Sequence, residues 1–387
     1  MSKHGWTYKK LGEVATIISG STPKTNIPEY WDGAHFWVTP AELGKSVYIG
    51  ETERTITDDA VNNTNLTLLP VGTVLLSSRA PIGKIAITTA PMYCNQGFKN
   101  IVCSEELNNK FTYYFIGHIV PYLQSLGRGA TFKEISKTIV ENVKLPVPPM
   151  EEQLAIVAEL DEINETIELL KLQVADLDAL AQSTFYTMFG DPITNEKGWE
   201  IKKLGSLCTI ERGGSPRPIK DFITEAEDGI NWIKIGDAKE GSIFIDSTAE
   251  KIKPEGMKKS RFVQKGDFIL SNSMSFGRPY ILRVDGCIHD GWLVIRDDNH
   301  IFDKFFLFYF LSSQNVYNEF KRLAVGGVVN NLNSSMVRAL SVFVPPITTQ
   351  QEFAKKVEAI ESAKVELIAQ ISEMQNLLAS RMDYYFD

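Results

Sequence analysis

The chain has 387 residues, 43% of them apolar and 23% charged, with a formal net charge of −8; that is enough for two ordinary domains and too apolar for a disordered chain. The opening "MSKHGWTYKKLGEV" has no stretch fit for a secretory signal, and the longest aromatic-aliphatic run, Phe305–Leu311, is far short of the roughly 18 residues a membrane span needs. Cys94, Cys103, Cys208 and Cys287 show no paired spacing, so they read as buried thiols in a reducing compartment, and the expected location is cytoplasmic.

In chain order, "EVATII" predicts a short strand ending in a Gly/Ser/Pro turn, and "HFWVTP", "GTVLLSS" and "KIAITT" predict three more. A helix rich in Phe and Tyr starts at Lys110-Phe111, the Gly-bearing loop "GRGATF" follows, and a last strand runs into Pro148-Pro149. There the period changes. Ile156, Leu160, Ile163, Ile167, Leu170, Val174, Leu177 and Ala181 step by four and three, a heptad seam on a helix on the order of 55 Å long. From Gly198 the series begins again: "SLCTIE", "INWIKI", "GDFILSN" and "WLVIR" as strands, an aromatic helix from Lys304-Phe305, the loop "VGGVVN", and Pro345-Pro346. A second seam follows at Phe353, Val357, Ile360, Lys364, Leu367, Ile371, Met374 and Leu378. Only Lys364 breaks it, by snorkelling or by setting register.

The chain is therefore written twice. "GWTYKKLGEVATIISGSTPK" matches "GWEIKKLGSLCTIERGGSPR", and "PPMEEQ" matches "PPITTQ". A period this long means two duplicated domains rather than a solenoid. The expected fold is α+β: recognition domains at 1–149 and 191–346, each of mixed β-sheet and helices, with spacer helices at 150–190 and 347–387. Each helix could pack on its own domain, but two matched seams in one chain are natural partners.

The acid is concentrated where the prolines end. Residues 150–190 carry nine Asp and Glu against a single lysine, whereas 1–149 and 191–346 are close to neutral. A local basic face on either domain stays possible, so the net charge does not exclude DNA. Catalytic patterns fail: "TPAELGKS" has Thr39 where a phosphate-binding loop needs its leading Gly, and the five histidines lack metal-ligand spacing. "VPPM" and "VPPI" lack the polar residue and the aromatic with which an amino-methyltransferase grips its base.

Where the halves agree they share Gly, Pro, Trp and apolar residues; where they differ, the differences fall on polar loop positions. The candidate DNA contacts of the first half are Ser21, Thr22, Lys24, Arg79, Lys84, Asn95, Gln96, Lys99, Arg128, Thr131 and Lys133. Those of the second are Arg212, Ser215, Arg217, Asn272, Ser273, Arg278, His289, Asp290, Asn330 and Asn331. Arg, Asn, Gln and Asp pair with base edges, while Lys and Ser hold phosphates. One scaffold carrying two polar sets suits two different half-sites. The alternative is a scaffold with two duplicated binding domains, dimerised by helices, that binds protein or glycan and no nucleic acid.

The chain resembles the specificity subunit of type I restriction–modification enzymes. The resemblance covers essentially all of it and is carried by Ser19–Pro23, Glu29–Leu43, Leu75–Ile87, "NQGFK" at Asn95–Lys99 and Pro148–Gln153. The second half departs from the pattern, with "NSMSFGR" and "HDGW", as a target domain of another subtype would. The resemblance implies two target-recognition domains that each read half of a split DNA site, joined by two long antiparallel helices in a pseudo-twofold arrangement. It implies no catalysis and no cofactor on this chain. Two modification subunits that bind S-adenosylmethionine and methylate adenine would dock on it, the acidic faces of 151–178 and 352–373 being docking surfaces. Restriction subunits that use ATP and Mg would join them.

Overall fold

The structure is a computed structural model and describes residues 5–387 except 80, 130–132, 240, 273–275 and 325–330. The chain falls into two compact units, Met1–Lys171 with Ala369–Asp387, and Leu172–Ile368. Each unit thus takes one recognition half and a part of each long helix.

In the first unit the β-branched runs form a sheet of five strands in the order Ala15–Ser19, Lys99–Cys103, Val74–Leu76, Ile85–Thr88 and Tyr48–Ile49. All pairs are antiparallel except the last. The second unit builds the same sheet: Thr209–Arg212, Trp292–Arg296, Phe268–Ser271, Pro279–Leu282 and Phe244–Ile245, again with only the last pair parallel. Period-two alternation puts Ile17, Val74, Leu76, Ile87 and Ile101 into one core, and Ile210, Phe268, Leu270, Ile281 and Ile295 into its counterpart.

The aromatic helices, Asn109–His118 and Lys304–Ser312, cover these faces. Each begins at an N-cap side chain: Asn108 accepts from the Lys110 and Phe111 amides, Asp303 from those of Phe305 and Phe306. Phe111 and Phe115, like Phe306 and Phe310, are fully buried on the sheet, each stabilising by roughly 2–3 kcal/mol.

The smaller sheets differ between the halves. The first has three strands, Thr55–Ile56, Trp31–Val38 and Tyr93–Cys94; the second has five, Ile223–Thr224, Glu250–Ile252, Ile230–Ile233, Gly286–Ile288 and Arg261–Val263. Among the strands not expected from the sequence are the two that open the halves. Thr7–Lys10 and Ile201–Lys203 pair with the last strand of their half, Lys144–Val147 and Ser341–Phe343. They are exposed and lysine-bearing, so no alternation betrays them; their partner lies at the far end of the half. The strand expected from Glu13 starts at Ala15, because Leu11–Val14 makes one helical turn that buries Leu11 and Val14.

Proline ends each terminal strand by withholding a donor, and a 40-residue helix starts at once, Met150–Phe189 and Ile347–Phe386. The glutamine shared by the two steps fixes this joint. Gln153 accepts from the Asn108 amide at 2.8 Å and donates to the carbonyls of Glu106 and Pro148. Gln350 repeats all three bonds with Asp303, Ile301 and Pro345. Both are fully buried. The first helix stops at Gly190, whose φ of 80° suits glycine and whose amide reaches Tyr186 O at 2.8 Å.

Within each unit the two long helices run antiparallel. In the first, Glu159 meets Arg381 and Tyr385, and Phe386 sits edge-on to Phe111 and Phe115. In the second, Asp178 meets Lys364, while Phe185 and Phe189 meet Phe353. Ile156, Leu160, Ile163, Ile167, Leu170, Ala181, Phe353, Val357 and Ile360 are buried; Val174, Leu177, Leu367, Ile371, Met374 and Leu378 are half-buried. Lys364 does not snorkel. It is 6% exposed, and its ammonium bonds Asp178 at 2.6 Å and Glu361 at 2.8 Å.

Candidate nucleic-acid interface

In both units the candidate side chains stand on one loop frame. Gly20 crosses the Asn95 turn so closely that a Cβ would lie 1.8 Å from Asn95 O; Gly213 crosses the His289 turn, at 2.1 Å from His289 O. Glycine is required at both places by this approach. Ser78 N donates to Gly97 O at 2.7 Å and Asn272 N to Gly291 O at 2.9 Å, tying the turn to the loop after the central strand. Ile135 N to Ser78 O, at 3.0 Å, and Leu332 N to Asn272 O, at 2.9 Å, then bring in the segment before the last helical turn.

On the first frame, Thr22 donates its hydroxyl to Gln96 Oε1 and Asn95 Oδ1 accepts from Gly97 N at 2.8 Å. Arg79 lies over Gly97, with its Nε 3.6 Å from where a Cβ would stand. Glu134 pairs by backbone with Arg128 and Arg79 and sets its carboxylate 3.5 Å from Lys99 Nζ. Lys99 is buried beside Ser78, and Lys84 spends its ammonium on Pro40 O at 3.1 Å. Gln96, Lys24, Arg128 and Lys133 are exposed, and Ser21 and Thr22 half-buried. Thr131 lies outside the described residues.

On the second frame four candidates converge on Asp290. Ser215 donates to Oδ1 at 2.6 Å, Arg217 Nη2 is 3.4 Å from Oδ2, and Arg212 and Asn272 donate to the carbonyl at 3.0 and 2.8 Å. Foremost the Ser215 hydroxyl, and then the charged neighbours, hold this carboxyl below the usual range in spite of partial burial. His289 accepts at Nδ1 from Gly291 N at 2.6 Å, and burial holds it below the ordinary imidazole value. Asn272 is buried, while Arg278 and Asn331 are exposed. Ser273 and Asn330 lie outside the described residues.

Sequence reading missed Glu134, the acid that ends "RGATFKE" and meets Arg128 and Arg79 by backbone and Lys99 by its carboxylate. The arrangement does not look reactive. Burial pushes the Cys94 and Cys208 thiols up to about 12. Among the described residues, the one His/Asp group with ligand spacing, His118 with Asp383 and Asp387, already has its ring nitrogens turned to the two carboxylates. No helix among them is long and apolar enough to cross a membrane.

A family model described as the type I restriction modification DNA specificity domain matches residues 3–177 and again 196–374. The MjaIX type I restriction enzyme specificity subunit of Methanocaldococcus jannaschii is 33% identical over 290 residues, 64% of this chain and 67% of that one. The MjaVIII specificity subunit of the same organism is 22% identical over 384 residues, 92% of this chain and 86% of that one. A chain solved in a study of complex assembly and conformational transition of the type I R-M system has a TM-score of 0.65 at 20% identity. The match covers 98% of this chain and 97% of that one, and it speaks for the fold.

Proposed function

The chain belongs to the type I restriction–modification DNA specificity family, and from that premise we propose how it directs such an enzyme to its site. It is the DNA-reading, non-catalytic subunit. Each unit reads one half of a bipartite DNA site, and the long helices set the spacing between the halves. Two modification subunits dock on the acidic helix faces, bring S-adenosylmethionine and methylate adenine; restriction subunits add ATP- and Mg-dependent translocation and cleavage. The assembly works on DNA in the cytoplasm.

The observation that carries this reading is the loop frame built twice with different side chains on it. Backbone crossings at Gly20 and Gly213 hold the two frames alike, while Thr22 with Gln96 in one is replaced by Ser215 with Asp290 in the other. Constant geometry with altered donors and acceptors is what reading two different half-sites needs. The exposed cations beside them, Lys24, Arg128 and Lys133 on one frame and Arg212 and Arg217 on the other, suit phosphates. The protein- or glycan-binding scaffold has no observation in its favour.

The test is a gel shift of DNA carrying the site, with the complex assembled. Affinity should fall by roughly 10³–10⁵ between about 50 and 200 mM salt if six to ten phosphates are contacted. Absence of binding, or binding indifferent to salt, contradicts it.

A further inference from the structure

Asp290 and Gln96 occupy the same place on the two frames. Each follows the residue whose carbonyl the frame glycine approaches, and each accepts a hydroxyl from the loop that carries that glycine, Ser215 for one and Thr22 for the other. Their chemistry differs. The Asp290 side chain is 43% exposed, and an ionised carboxylate accepts only, with about four lone-pair sites of which Ser215 and Arg217 occupy two. A phosphate would repel it. The major-groove groups that can satisfy it are exocyclic amines, N4 of cytosine and N6 of adenine. Gln96 is exposed, and with Oε1 taken by Thr22 it offers its amide NH₂ as a donor. Its complements are the acceptor edges, O6 and N7 of guanine, O4 of thymine and N7 of adenine.

From this juxtaposition we propose that the position shared by Gln96 and Asp290 determines specificity in both half-sites: Asp290 selects an amine-bearing base edge, and Gln96 an acceptor edge. The assignment rests on the DNA-reading function given above and adds the class of base each unit takes.

The experiment compares the methylation motifs of the complex, assembled with its modification partner, for wild type, Asp290→Asn and Gln96→Glu, with thermal melting of each. Asp290→Asn keeps the acceptor for Ser215 but adds a donor. One position of one half-site should lose its amine-base preference by roughly tenfold, the other half-site staying as it was. Gln96→Glu should do the reverse in the other half-site. If Asp290→Asn melts early, the exposed Gln96→Glu still decides. Variants that fold and keep the wild-type motif overturn the assignment, as does a loss of methylation spread evenly over the motif in proportion to a lowered melting point. A wild-type complex with no chain-dependent motif sinks the underlying function, and this assignment with it.

Discussion

At the scale of single residues, two buried glutamines do more for the architecture than their surroundings in the sequence suggest. Gln153 and Gln350 each satisfy one backbone amide and two carbonyls, joining a proline step to the start of an aromatic helix. Truncation would strand these groups without water, and a buried unmade hydrogen bond costs about 1–3 kcal/mol. Gln350→Ala should therefore lower unfolding stability by about 2–4 kcal/mol in urea titration, while Glu352→Ala on the exposed side of the same turn should stay within about 0.5 kcal/mol. Equal effects would remove the clamp from the account. The Pro-Pro-x-x-x-Gln step was plain in the sequence, but its purpose was not: the partner carbonyls lie 47 and 49 residues away, on loops with no pattern of their own. The frame glycines were legible as shared residues for the same reason and opaque for the same reason. By contrast, Lys84, Lys99 and Asn272 read as recognition residues by type, and only tertiary packing turns them toward protein.

At the scale of elements, the paired helices carry polar contacts that the repeat does not copy. Arg381 donates to both Glu159 oxygens, joined by Tyr385, in the first unit; in the second, Lys364 is buried against Asp178 and Glu361. Hydrogen bonds to Asp178 and Glu361 raise the Lys364 ammonium although burial pulls it the other way. For Glu159 the Arg381 hydrogen bond, foremost, holds the carboxyl below its ordinary 4.5. The unfolded chain then binds the proton more readily, so this contribution is whole above 4.5 and fades as pH falls toward the folded value. Glu159 is 37% exposed, which keeps it modest. Wild type should melt above Glu159→Gln at about pH 7, and the gap should narrow as pH falls below 4.5; a gap that stays constant on acidification contradicts the ion pair. The heptad positions were visible from spacing alone. Which charges meet was not, because the partners are 222 residues apart, and the offset of 197 residues that lays the seam from Ile156 on the seam from Phe353 puts Lys356 and Thr184 at the equivalent places.

At the scale of the whole molecule, the duplication was the most legible feature, and the two five-stranded sheets reproduce it strand for strand. The smaller sheets, of three and five strands, were legible only in the strands read from "HFWVTP" and "INWIKI", since short strands such as Thr55–Ile56 and Ile223–Thr224 are too brief to show a period. The central claim is that each unit reads one half-site and the paired helices set the distance between them. Methylome sequencing of cells carrying the chain with its partners tests it, comparing wild type with a variant that has one heptad added after Val174 and another before Leu367, near the Asp178–Lys364 contact. Seven residues add about 10 Å of helix, close to three base pairs at 3.4 Å each. The account predicts a chain-dependent motif in two specified parts whose unspecified spacer lengthens by about three base pairs while both parts stay the same. A spacer that does not change, or half-sites that do, would contradict it.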